Sequence, residues 1–360
     1  MSEQFQVDQF VPCLLPRDAV GNHTLGVRAA LDRVHIPNRI WAISIHPDLD
    51  AFGRPYNGFS RRDAGSPRVA LYEAASVAGD FADFVVGLPE PKALYFHNLT
   101  PPEYFDHFDP EIASGLRQAR REIERVAAVS RVALAASEFN ACELRALGLT
   151  DVVVVPPYPA PDQGVAPDPD LLATLRETKL GIDLLFVGRL APNKRQEQLI
   201  RLVAALRSGI DPDARLILVG GPGPLSYVRA LHRLADSIAP GAVTFTGAVS
   251  DAALVAHYAA ADVFVSASEH EGFGLPLVEA MHAGVPIVAY DAGAIGETLG
   301  GVGVLVRTTE PRTLAEVVAK VAHDATLRAA ICARQVARAD ELEDYPRDTL
   351  LIEALRRAAG

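Results

Sequence analysis

The sequence predicts an α/β protein built as two Rossmann-like, doubly wound parallel-sheet domains facing each other across a cleft. Three observations carry that expectation. The chain has 360 residues, and at about 100–200 residues per domain this suits two. Short apolar runs alternate with longer amphipathic segments, the pattern of parallel strands covered by helices on both sides. A Pro-rich break, Pro156–Asp170 (PPYPAPDQGVAPDPD), divides the alternation into two series.

The first series of strand-like runs is Phe5–Leu15, Arg39–Ile45, Phe84–Val86, Ala93–Phe96, Val132–Ala136 and Val152–Val155. The second is Asp183–Val187, Arg215–Val219, Val243–Thr246, Val263–Ser266, Pro286–Ala289 and Gly303–Val306. Most lack polar alternation, as strands buried on both faces do. Between them, Gln196–Leu206 brings Leu199, Ile200, Val203 and Leu206 to one helical face. After a break at Tyr345-Pro346, the segment Pro346–Ala359 reads as a last amphipathic helix. The expected division is 1–158, a linker at 159–180, 181–343, and a terminal helix at 344–360.

Composition narrows the function. Basic residues number 34 against 45 acidic, a net charge of −11, so a duplex nucleic-acid partner is disfavoured. Three scattered cysteines spell neither a zinc site nor a disulfide framework, which fits a reducing compartment. The start, MSEQFQVDQF, has no basic or apolar region, so neither export nor a membrane span is expected and the location is read as cytoplasmic. Arg117, Arg120, Arg121 and Arg125 share a helical face, a weak case for peripheral membrane contact because Glu122 and Glu124 interrupt it.

In doubly wound sheets ligands bind beyond the carboxyl ends of the strands, so the chemistry is sought there. Gly188, Arg189 and Lys194 follow one strand and precede a helix, a placement of two cations that suits a diphosphate; a solvated turn is the plain alternative. Gly220-Gly221-Pro-Gly223 follows the next and reads as a structural turn rather than a dinucleotide fingerprint. Val249 lies in a loop before a helix capped by Ser250 or Asp251, with backbone placed to meet a base. The most informative segment is Glu271-Gly272-Phe273-Gly274-Leu275-Pro276, with Glu279 one helical stretch on. The N–H groups of 273–275 suit a phosphate or sugar hydroxyl, and carboxylates beside them suit hydroxyls. In the first half, Gly21 and Asn22 open a helix after the first strand, and His97 leaves a central strand at the ligand edge. Asp48/Asp50, Asp168/Asp170 and Asp211/Asp213 each spell D-x-D, read as chance rather than metal ligands.

On these residues the chain resembles the GT-B glycosyltransferases, within them the bacterial retaining family-4 type, the group 1 glycosyl transferases. Glu271 and Glu279 fit the family's E-x7-E motif, and Gly188-Arg189 through Lys194 fits its G-R-x4-K element. The likeness is strongest over about 183–306. It implies transfer of a sugar from a nucleotide-diphosphate donor to an acceptor hydroxyl of a glycan, glycolipid or small molecule, with retention, no protein nucleophile, no metal and no other cofactor. Arg189 and Lys194 would neutralise the diphosphate. Glu271, with the N–H groups of Phe273, Gly274 and Leu275, would hold the donor sugar. Glu279 would hold the ribose and Val249 the base, Gly21 and Asn22 would approach the phosphates, and His97 would contact the sugar near its reacting carbon. The last helix would cross back to the first domain. Another GT-B activity, such as sugar-nucleotide epimerisation, and a non-catalytic two-domain sugar-binding protein are the alternatives.

Overall fold

In the computed structural model, residues 5–60, 67–159 and 164–360 are described. The chain divides into two compact units. The first comprises 1–102, 111–163 and 346–360, and the second 103–110 and 164–345.

The first unit is a seven-stranded parallel sheet: β1 (Gln6–Leu14), β2 (Asn38–Ile45), β3 (Gly53–Pro55), β4 (Arg68–Ala74), β5 (Lys92–Phe96), β6 (Ser130–Ala135) and β7 (Val152–Val154), in the order β3-β2-β1-β4-β5-β6-β7. Its helices are α1 (Ala19–Arg33), α2 (Asp80–Gly87), α3 (Pro110–Val129) and α4 (Glu138–Ala146). The order reverses between β1 and β4, the switch point at which such sheets bind ligands.

One expected strand fails in this half, and two strands are present that the sequence reading does not include. Phe84–Val86 is not a strand but part of α2, where Phe81, Ala82 and Val85 are buried at helical spacing. Three apolar residues cannot by themselves distinguish a strand from a helical face. The strand that belongs there, β4, is buried along all seven residues, yet Arg68 and Glu73 interrupt its apolar run. The edge strand β3 is only three residues long and carries no apolar signal.

The second unit is a six-stranded parallel sheet, ordered β10-β9-β8-β11-β12-β13. Its strands are β8 (Asp183–Val187), β9 (Arg215–Val219), β10 (Val243–Gly247), β11 (Val263–Ser266), β12 (Ile287–Tyr290) and β13 (Val304–Val306). The order again reverses, between β8 and β11. Helices α5 (Pro169–Glu177), α6 (Gln196–Gly209), α7 (Leu225–Ile238), α8 (Asp251–Ala260), α9 (Leu275–His282), α10 (Ile295–Leu299), α11 (Pro311–His323) and α12 (Ala325–Glu343) cover it. The core joins Leu184, Phe186, Leu216 and Leu218 of the sheet to Leu199, Val203 and Leu206 of α6. At about 1.5–3 kcal/mol per buried large aliphatic side chain, this cluster is the main stabilising term of the unit.

The linker expected at 159–180 contains α5, which Asp168 caps by accepting from the N–H groups of Asp170 and Leu171. Asp211 is likewise committed, accepting from the N–H groups of Ile182 (2.6 Å) and Asp213 (3.0 Å). Two of the three D-x-D triplets therefore begin with a carboxylate engaged by backbone. The segment 103–110 lies in sequence between β5 and α3 but belongs to the second unit. There Phe108 packs on the core, its ring 4.9 Å from that of Tyr227, and Ser226 Oγ donates to its carbonyl.

The last helix, α13 (Arg347–Ala359), belongs to the first unit and buries Leu351, Ile352, Ala354, Leu355 and Ala358. Asp348 binds Arg33 (2.6 Å) and the Tyr158 hydroxyl (2.8 Å), and Arg357 pairs with Asp151 at 2.9 Å.

Candidate active site

In the second unit the strand ends are joined into one rim. The Gly188 N–H donates to Val219 O, the Leu190 N–H to Gly221 O, and the Gly220 N–H to Gly247 O. Gly220 has φ +147°, and a Cβ there would lie 2.2 Å from Gly188 O, so the two turns touch backbone to backbone. This accounts for the Gly-Gly-Pro-Gly turn structurally, as the sequence suggests.

On this rim Arg189 is exposed and has no acidic partner among the described residues. Its carbonyl accepts from the buried Gln196 side chain at 3.0 Å, which holds the turn against the start of α6. Lys194 ends a single turn of 3-10 helix, Pro192–Lys194, and its Nζ lies 2.5 Å from each oxygen of Glu271. Both side chains are mostly covered, 22% and 15% exposed, so water screens the pair less than it would at the open surface. Residues 77 apart in sequence are thus one charged group.

The loop carrying Glu271 is fixed by partners invisible to motif reading. Asn193 donates from its side-chain amide to His270 O (3.1 Å), while its backbone carbonyl accepts from the Glu269 N–H (2.9 Å). Glu271 O accepts from the Ala294 N–H, and Thr298 Oγ1 donates to Phe273 O at 2.6 Å. Gly293, at φ +57°, lies so close that a Cβ would stand 2.7 Å from Glu271 O. Beyond the loop, Gly274 precedes α9 in a left-handed conformation with no side-chain cap. Pro276 occupies the first turn, as expected. Among the described residues, the N–H groups of Phe273, Gly274 and Leu275 make no hydrogen bond; Gly272 and Phe273 are buried.

Glu279 lies one turn into α9 with surface open to solvent, and Tyr258 donates its hydroxyl to Oε2 at 2.7 Å. The surrounding protein raises the Glu279 pKa; the Tyr258 hydrogen bond lowers it, and Asp251 adds to the rise. Val249 lies half-buried between β10 and α8, its backbone N–H and C=O unbonded among the described residues. Ser250, rather than Asp251, caps α8.

The first unit holds the other three candidates. His97 directly follows β5, and its Nε2 lies 2.8 Å from Glu73 Oε2. Gly21 and Asn22 fall inside α1, where their backbone is already engaged. The Gly21 N–H donates to the Asp18 carboxylate (3.1 Å) and the Asn22 N–H to Asp18 O (2.8 Å). A Cβ at Gly21 would meet Leu15 O at 2.1 Å, so close packing accounts for this glycine. On α3, Arg125 pairs with Asp83 (2.9 Å) and Arg120 with Glu143 (3.6 Å), so these arginines of that face are engaged within the protein. Among the described residues, no helix is long and apolar enough to cross a membrane.

Comparison with known structures identifies the fold as GT-B. Anabaena HepE in complex with UDP and glucose superposes with a TM-score of 0.71 at 22% identity, covering 97% of this chain and 99% of that one. WaaG, a glycosyltransferase involved in lipopolysaccharide biosynthesis, gives 0.70 at 17%, covering 98% and 100%. Residues 181–324, within the second unit, match the family model described as Glycosyl transferases group 1. The GDP-mannose-dependent alpha-(1-6)-phosphatidylinositol monomannoside mannosyltransferase of Mycolicibacterium smegmatis is 37% identical over 159 residues, 40% of each chain. The D-inositol 3-phosphate glycosyltransferase of Kineococcus radiotolerans is 33% identical over 237 residues, 58% of this chain and 52% of that protein. The alignments span 36–40% of the mannosyltransferases' own length.

Proposed function

We propose that the protein is a retaining hexosyltransferase that moves a sugar from a UDP- or GDP-linked donor to an acceptor hydroxyl without a metal. The observation that carries this reading is the second unit's rim. Arg189 stands on it with no acidic partner among the described residues, beside a Lys194–Glu271 pair and three N–H groups that are likewise unbonded among those residues. The family match covers these residues. Relatives named as using GDP-mannose and structural neighbours holding UDP favour a nucleotide-sugar donor.

The Lys194–Glu271 pair suits both halves of a donor. Each Glu271 oxygen accepts one hydrogen bond from Lys194 and keeps lone pairs for sugar hydroxyls. The Lys194 ammonium has three donors, so it can serve a phosphate oxygen while still holding Glu271. With Arg189 it offsets the negative charge that grows on the diphosphate as the glycosidic bond breaks. In the retaining step the acceptor oxygen attacks the anomeric carbon from the face the diphosphate leaves, and its proton passes to the departing phosphate. No protein nucleophile is required. The acceptor is a hydroxyl of a glycan, glycolipid or small molecule.

Calorimetric titration with UDP, GDP, ADP and their sugar conjugates, run in excess EDTA, tests this. Binding of UDP or GDP, and transfer from its conjugate, is expected without metal. Absence of binding to every nucleotide would favour a non-catalytic sugar-binding protein, and a strict metal requirement would refute the metal-free step.

Tyr258→Phe tests the ribose contact. Losing one hydrogen bond costs about 1 kcal/mol, so affinity for the nucleoside diphosphate should fall roughly fivefold at neutral pH. Because Tyr258 lowers the Glu279 pKa, its removal lets that pKa rise further. Affinity in the variant should then decline at a higher pH than in the parent as the solution is acidified. Superimposable binding curves for the two proteins would show that Glu279 does not meet the nucleotide.

A further inference from the structure

The first unit contains a buried polar cluster around His97 whose other members have no role among the proposed donor contacts. Glu73 of β4 stands in register with Tyr95 of β5. Side chains alternate along a strand, so Tyr95 and His97 project from the same face. The His97 N–H continues the ladder onto Ala74 O at 3.0 Å. Glu73 is fully buried and the His97 side chain is 9% exposed. From α1, the fully buried His23 packs its ring 4.8 Å from that of His97, nearly perpendicular, and 3.9 Å from that of Tyr95.

The hydrogen bonds decide what this cluster does. His23 Nδ1 accepts from the Tyr158 N–H at 3.3 Å, so the neutral ring carries its proton on Nε2, which faces Glu73 Oε2 at 3.8 Å. Burial, with His97 and Arg347 nearby, pushes the His23 pKa well below its ordinary value and keeps the ring neutral. By distance alone His23, Glu73 and His97 could ligate a metal, but a protonated Nε2 has no lone pair to offer. The Tyr95 hydroxyl is committed to Val155 O (2.7 Å) and that of Tyr158 to Asp348 (2.8 Å). Among the described residues, His97 is then the one hydrogen-bond partner of a carboxylate that is costly to bury alone. The next residue, Asn98, has φ +119°, a conformation unfavourable for any side chain and tolerated where the surroundings over-determine the turn.

We propose that Glu73 is a positioning residue for His97: it accepts the Nε2 proton, fixes the ring, and leaves Nδ1 as a lone pair that accepts a hydroxyl of the bound sugar. This rests on the reading of His97 as a donor-sugar contact. Neutral His23 turns its Nε2–H toward the same Glu73 oxygen at 3.8 Å, beyond hydrogen-bond reach, and offers it no competing acceptor.

The test begins with the unmodified protein. Long-range 1H–15N correlation on histidine-labelled protein, with His97 assigned through His97→Gln, should show His97 protonated at Nε2. A proton on Nδ1, or a rapidly exchanging mixture, overturns the proposal whether or not sugar is transferred. The isosteric Glu73→Gln can either accept from or donate to the ring, so it should mix the tautomers. It should lower kcat roughly tenfold, the scale of a lost charge-assisted hydrogen bond, while leaving UDP or GDP affinity unchanged. In a His97→Gln background the same change should have no further effect on kcat. Equal losses in both backgrounds mean that Glu73 acts by general structure and refute the positioning role. The expected tautomer in a protein that transfers no sugar refutes only the function on which the proposal rests.

Discussion

Lys194→Met is expected to lower turnover at least about a hundredfold while leaving the fold intact, the scale on which removing one preorganised group at a developing negative charge acts. Methionine keeps most of the aliphatic stem and removes the ammonium. Two effects then combine. The departing diphosphate loses a cation, and Glu271, 15% exposed, is left as a carboxylate without the partner that holds both its oxygens. The first effect belongs to the transition state and should appear in kcat; the second disturbs the sugar contact and should appear in KM as well. Lys194→Arg separates them. It retains charge but replaces a compact three-donor group with a planar fork, so it should restore part of kcat and less of the sugar contact. Release of the nucleoside diphosphate, followed under saturating acceptor, reads both. Near-normal turnover in the methionine variant would remove Lys194 from the site.

The second unit was the more legible half because its strands are compact apolar runs with both faces buried. Asp183–Val187, Arg215–Val219 and Val263–Ser266 lie in the sheet with the ends their sequence indicates. In the first unit the same rule missed β4, where Arg68 and Glu73 stand inside a buried strand. The charge that hid the strand is the one that meets His97. A buried carboxylate looks like solvent-facing sequence until its partner, 24 residues away, is known. The site shows the same division. Sequence pattern singled out Arg189, Lys194 and Glu271 by their place after a strand, and Glu279 by the E-x7-E motif that the chain resembles. It did not show that Lys194 and Glu271 form one pair, nor that Asn193, Tyr258, Gly293 and Thr298 hold the elements in place. Those four act only through tertiary contact, and no local pattern announces that. Gly21 carries two readings: a glycine at a strand-to-helix turn suggests a ligand, and its packing against Leu15 supplies a structural reason for it as well.

Gly220→Ala should destabilise the second unit by more than about 3 kcal/mol, the range reserved for changes that break a named structural feature. Its φ of +147° is one that L side chains rarely adopt, and the added methyl would stand 2.2 Å from Gly188 O, 2.6 Å from its carbon and 3.2 Å from the Arg189 N. All three are backbone atoms, so no rotamer change relieves the contact. Either the β9 turn withdraws, breaking the bond from the Gly220 N–H to Gly247 O, or the Gly188-Arg189 turn moves outward and loses its bond to Val219 O. In the second case Arg189 moves with it. Stability and diphosphate binding should therefore fall together, whereas Arg189→Met should weaken binding with an unchanged melting temperature because Arg189 is exposed and has no acidic partner among the described residues. Thermal unfolding with and without UDP or GDP distinguishes the two variants. A Gly220→Ala protein that melts like the parent would mean that the rim is more compliant than its backbone contacts imply, and that the position of Arg189 is set by the ligand rather than by the fold.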